Sequence, residues 1–130
     1  MSEENVQLAK RGYELFGKGD LDSLKSEIFS PDVIWRTEGV GPFESEYKGI
    51  DALIGYFSRL FELSGGTFKA EVLHIYADDD RAVAIQHISG SRVEKLLDTR
   101  MVVVFEIREG KVSEVTQFAA EPSKLENFWS

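Results

Sequence analysis

The chain has no cysteine, which removes disulfides, thiolate metal ligands and cysteine nucleophiles together. Its two histidines, His74 and His87, are too few for a histidine-rich metal site. Positive charge is scarce: 15 Lys and Arg stand against 23 Asp and Glu, for a net charge of -8 and a pI near 4.8. Such a surface repels nucleic-acid backbones and anionic membranes, and no Lys/Arg cluster offsets it. No apolar run approaches the roughly 18 residues that a membrane span needs. The opening Met1-Ser2-Glu3-Glu4 has neither the basic nor the apolar stretch of a secretion signal. The expectation is a soluble, cytoplasmic protein with no nucleic-acid or membrane partner. Internal repeats, low-complexity segments and linkers are also missing.

What is present suits one compact domain, residues 1–130: hydrophobic residues make up 42%, including nine Phe, four Tyr and two Trp, enough for a real core. Apolar residues recur at helical spacing from Asn5 to Phe16, stop at Gly17 and Gly19, and resume from Leu21 to Phe29 behind a candidate N-cap, Asp20. Pro31 is expected to end this second helix. Val33 to Glu38 favours a strand, and Gly39 to Lys48 an irregular loop. Ile50, Leu53, Ile54, Phe57, Leu60 and Phe61 trace a third helical stripe, closed by Ser64, Gly65 and Gly66.

The period then changes to two, predicting strands at Thr67–Ala77, Ala82–Ser91, Leu96–Ile107 and Lys111–Phe118. Asp78, Asp79 and Asp80 form the first turn, a solvated one rather than a metal site. A two-residue turn at Val93 and Glu94 sets Gln86 opposite Met101 and His87 opposite Arg100. A three-residue loop ending in left-handed Gly110 sets Gln117 opposite Met101 and Val115 opposite Val103. One sheet face then carries Ala84, Gln86, Ile88, Met101, Val103, Phe105, Val115 and Gln117. The other carries Val83, Ile85, His87, Arg100, Val102, Val104 and Phe118. Both are apolar enough to need cover. Helices can cover one, so the other is expected to pair with a second copy in a homodimer. Leu125, Phe128 and Trp129 suggest a short closing helix.

The order of these signals carries a resemblance. Gly19-Asp20-Leu21-Asp22 between two helices, Pro31-Asp32-Val33-Ile34-Trp35, Tyr47-Lys48-Gly49 before the third helix, a long antiparallel sheet, Glu109-Gly110-Lys111-Val112 and Phe128-Trp129 together resemble the SnoaL-like polyketide cyclase and ketosteroid isomerase group of the nuclear transport factor 2-like superfamily. The resemblance spans nearly the whole chain. It implies an α+β fold, cone-shaped, in which a curved antiparallel sheet and three helices of the N-terminal half enclose one deep apolar pocket. It also implies three catalytic positions of the steroid isomerases, a Tyr and two Asp, which fall here on Gly12, Thr37 and Val103. Tyr13 and Glu38 are each one residue out of place, so steroid isomerisation is disfavoured. The carboxylate that the cyclases carry on the last strand is replaced by Gln117.

Alternation and resemblance together put Phe16, Trp35, Thr37, Phe57, Phe61, Gln86, Met101, Val103, Phe105 and Gln117 on the pocket wall, an apolar lining with few polar anchors. Gln86 and Gln117 either bind a ligand carbonyl or bond to each other. His87 is an imidazole expected beside Arg100, so these two with Asp98 are the candidates for acid/base chemistry. The rival readings are a histidine at the dimer interface and an Asp98–Arg100 surface ion pair. No metal or other cofactor is implied. The functional expectation is a small-molecule-binding protein, an isomerase, cyclase or hydrolase acting on an apolar carbonyl-bearing compound. The alternatives are a non-catalytic ligand carrier or sensor and a protein-interaction adaptor.

Overall fold

The computed structural model describes residues 2–130, and side chains from Glu3 onward. Helix α1 spans Ser2–Gly17, with Glu3 and Glu4 where the helix dipole favours negative charge. Its stripe of Ala9, Leu15 and Phe16 is buried. The chain reverses through left-handed Gly19 (φ 69°). Asp20 then caps the next helix, accepting from the Ser23 N–H at 3.1 Å and the Ser23 hydroxyl at 2.8 Å.

The second helix is not regular to Phe29. Helix α2, Leu21–Ser23, widens at once into a π-helical turn, Leu24–Ile28, closed by the Phe29 N–H on the Leu24 carbonyl. The wide turn buries both Leu24 and Ile28 and leaves Phe29 to start strand β1 (Phe29–Arg36). Pro31 therefore lies inside a strand and does not end a helix. It sits between the Phe29–Val112 and Ile34–Glu114 pairings, where the register shifts and a missing N–H costs no ladder bond.

The supposed loop after β1 contains a short strand, β2 (Glu46–Lys48), paired antiparallel with β1. Arg36 holds both neighbours of β1, donating through Nε to Glu46 at 3.2 Å and through Nη1 to Glu114 at 2.9 Å. Helix α3 (Ile50–Leu63) follows, burying Leu53, Tyr56, Phe57 and Leu60. Strands β3 (Lys69–Ala77), β4 (Arg81–Arg92), β5 (Lys95–Arg108) and β6 (Lys111–Ala119) complete a six-stranded sheet in the order β2-β1-β6-β5-β4-β3. The α+β class is as expected. The sheet is mixed, however, because β1 joins β6 in parallel.

Between β4 and β5 the register is the expected one: Gln86 faces Met101 and His87 faces Arg100. Between β5 and β6 it is not. Glu109 (φ 52°) and Gly110 (φ 74°) make a two-residue turn. One extra residue, Ser113, then bulges between the Ile107–Val112 and Glu106–Glu114 pairs. Gln117 thus faces Val103 and Val115 faces Phe105. The displacement is two residues, so every side chain keeps its expected face.

Helix α4 (Pro122–Trp129) buries Leu125, Phe128 and Trp129. Its last turn is tied down by Arg92, which donates to the Phe128 carbonyl at 2.6 Å and lies 5.7 Å from the Trp129 ring centroid. Gly41, left-handed at φ 58°, passes so close that a Cβ there would lie 2.4 Å from the Trp129 carbonyl oxygen. Gly41→Ala should therefore lower the unfolding free energy by about 1–3 kcal/mol through strain alone and loosen α4, seen in denaturant melts and faster amide exchange at Phe128 and Trp129.

Candidate functional site

The inner sheet face, α1, the π turn, α3 and α4 enclose an apolar cavity of about 90 Å³. That is several times the ~10–15 Å³ that holds one water. Gly12 on the wall contributes open space, since a Cβ there would only reach ordinary contact with Ile28 at 3.6 Å. The aromatic wall is tightly keyed. Trp35 meets Phe57 edge to face at 5.1 Å between centroids, and Phe43 meets Trp129 in the same way at 5.0 Å. Glu38, Val40 and Phe43 come from the loop after β1, and Leu125 and Trp129 from α4.

Nine of the ten expected lining residues, Phe16, Trp35, Thr37, Phe57, Gln86, Met101, Val103, Phe105 and Gln117, are on this wall. Phe61 is not. It lies one layer behind, its ring 4.9 Å from that of Phe16.

Two short hydrogen-bond relays define the polar chemistry. In one, the Tyr13 hydroxyl donates to the Gln86 side-chain carbonyl at 2.6 Å. In the other, Thr37 donates to the Gln117 side-chain carbonyl at 2.8 Å, while the Tyr56 hydroxyl bonds to Thr37. Gln86 and Gln117 therefore do not bond to each other. Among the described residues no hydrogen bond from either NH2 group accompanies these two, and neither nitrogen is a sealed, unpartnered atom like that of Trp35. Burial pushes the pKa of both Tyr13 and Tyr56 well up, so both stay neutral phenols and act as donors, not bases.

Tyr13 was not expected here, because a helix turns neighbouring side chains about 100° apart and Gly12 already faced the pocket. The cavity is wide enough to accept both residues. Glu38, expected on the opposite side of the strand from Thr37, also reaches the wall. The strand ends at Arg36, so strict alternation no longer governs these two. Glu38 is the one charged residue on the wall among the described residues. The feature that could have exposed Tyr13 is the lack of a side chain at Gly12, which leaves room for its neighbour.

The three catalytic candidates are elsewhere. His87, Arg100 and Asp98 lie on the outer sheet face, separated from the cavity by the sheet, because they alternate with Gln86, Met101 and Thr99. Asp98 does not pair with Arg100. Its Oδ1 stands 2.6 Å from His87 Nε2, and the hydrogen bond and then the charge of His87 hold its carboxyl below the usual carboxylate range. Val83, Ile85, Val102, Val104 and Phe118 share this face, with Phe118 54% exposed and Val102 39% exposed.

A family model for the SnoaL-like domain matches residues 9–115. An uncharacterised protein of Mycobacterium tuberculosis is 24% identical over 127 residues, 97% of this chain and 96% of that one. The solved structure of Bal32a, from a soil-derived mobile gene cassette, superposes with a TM-score of 0.94 at 32% identity, covering 99% of this chain and 98% of that one. A protein of Jannaschia sp. CCS1, assigned as a SnoaL-like polyketide cyclase, superposes with a TM-score of 0.82 at 18% identity over 100% of this chain and 94% of its own. At that identity the likeness concerns the fold.

The relay at Gln86 generates a stability prediction. Tyr13→Phe strands the buried Gln86 carbonyl, and an unsatisfied acceptor costs about 1–3 kcal/mol. The variant should unfold at correspondingly lower urea, with an unchanged slope.

Proposed function

We propose, from the premise that the chain belongs to the SnoaL-like domain family, that its cavity binds a small, uncharged, largely apolar molecule bearing hydrogen-bond acceptors such as ketone oxygens. The observation that carries this reading is the direction of the two relays. Tyr13 and Thr37 occupy the carbonyls of Gln86 and Gln117, leaving amide N–H groups as the polar surface offered to a guest. The rest of the wall is chiefly aliphatic and aromatic, which supports an apolar body. It includes no Lys, Arg or His among the described residues, so a buried anionic guest would be left uncompensated.

Both tryptophans, Trp35 and Trp129, line the cavity, so intrinsic fluorescence reports occupancy. The expected order of affinity is 1-tetralone above tetralin, with 1-naphthoate weakest. Gln86→Leu should reduce the tetralone preference by roughly tenfold, the order of one hydrogen bond. Equal binding of tetralin and tetralone would sink the reading.

Turnover is a second reading, favoured by Glu38. As the one carboxylate on the wall, it can take a proton from carbon beside a carbonyl whose oxygen the amide donors hold. Exchange of the α-protons of 1-tetralone in D2O, accelerated by the protein and lost in Glu38→Gln, is its expected result. Exchange at the buffer rate would leave a carrier or sensor.

The outer face supports a homodimer, since Val102, Phe118 and Tyr76 are large apolar groups left in the open. Sedimentation should give twice the chain mass, and Phe118→Glu should yield monomers with the same ligand order. A wild-type monomer at the same concentration would reopen the adaptor reading.

A further inference from the structure

The Trp35 indole nitrogen is the one buried side-chain polar atom without a hydrogen-bond partner among the described residues. Its ring is on the cavity wall, packed among the rings of Phe29, Tyr56 and Phe57 at 6.2, 6.1 and 5.1 Å between centroids. A buried donor left unpaired is unfavourable, and native proteins seldom keep one without cause. A guest in the adjoining space can supply the acceptor that this N–H lacks.

We propose that Trp35 is the anchoring donor of the ligand site, taking one neutral oxygen acceptor of the bound molecule, a ketone, ester or ether. This rests on the reading of the cavity as a ligand site and adds to it the position of the acceptor. The nitrogen itself is buried, so meeting a guest requires the indole to turn its N–H edge toward the adjacent 90 Å³ of open volume. An indole is a single neutral donor. It satisfies a carbonyl fully but leaves a carboxylate short of partners and of charge, so the class of ligand is an uncharged oxygen compound. Ligands with a second acceptor gain more, because the Gln86 or Gln117 amide can hold it while Trp35 holds the first.

The two tryptophans give two indole cross-peaks in a proton–nitrogen NMR spectrum of the full chain, and the one missing in Trp129→Phe identifies the other as Trp35. On titration with 1-tetralone the Trp35 indole proton should move downfield, as a proton entering a hydrogen bond does. With tetralin, which fills the same space without an acceptor, it should not. Trp35→Phe should reduce the preference for tetralone over tetralin by severalfold. If tetralone shifts the Gln86 and Gln117 side-chain amides while Trp35 responds identically to both compounds, the anchor is wrong and the ligand site stands. If neither compound perturbs any of these peaks, the anchor and the ligand site both fall.

Discussion

The pairing of β4 with β5 governs this molecule. Twelve consecutive pairs, from Arg81–Glu106 to Arg92–Lys95, run without a register shift, and the alternation they impose assigns each side chain to the cavity or to the exterior. A slip of one residue would exchange His87, Arg100 and Val102 with Gln86, Met101 and Val103, turning an apolar pocket into a charged one. The inner set is the one the helices can bury, so the hydrophobic effect fixes the register, and the register in turn distributes the chemistry. The ionisable cluster of His87, Asp98 and Arg100 lies outside because the same pairing that brings Gln86 in sends it out.

The inner surface then imposes its own limits. Neutral donors, an apolar body and one carboxylate make a lining with no positive charge among the described residues. Tyr13 and Thr37 matter through what they deny. By donating to the side-chain carbonyls they hold one lone pair of each oxygen and fix the amide orientation, so that the NH2 end is the one left to donate.

Much of this was legible in the chain. Period-two strands, the turn at Val93 and Glu94, the stripe of the third helix and most of the wall follow from local pattern, which depends on neighbours close in sequence. What escaped depends on neighbours that are distant. The π turn at Leu24–Ile28 leaves no mark on the pattern, since an ordinary α-helix would also set these two buried side chains, four residues apart, on one face. Strand β2 is made by β1, through Arg36 and three residue pairs, since Glu46–Lys48 has little strand character of its own. The bulge at Ser113 shifted the pairing without changing faces, so the expected lining survived a mistaken register. Tyr13 and Glu38 were misjudged because strict helical and strand geometry was applied at the edge of a wide cavity and past the end of a strand.

The open volume beside Trp35 has a bearing on how much of the protein is folded at any moment. Whatever binds the folded cavity and does not bind the unfolded chain adds stability by mass action, about 2.7 kcal/mol at a hundredfold excess over Kd. Such a difference changes the unfolded fraction by about a hundredfold. Where proteolysis acts on the opened chain, the steady-state amount of this protein would then follow the supply of its guest, and the cavity would set abundance as well as binding.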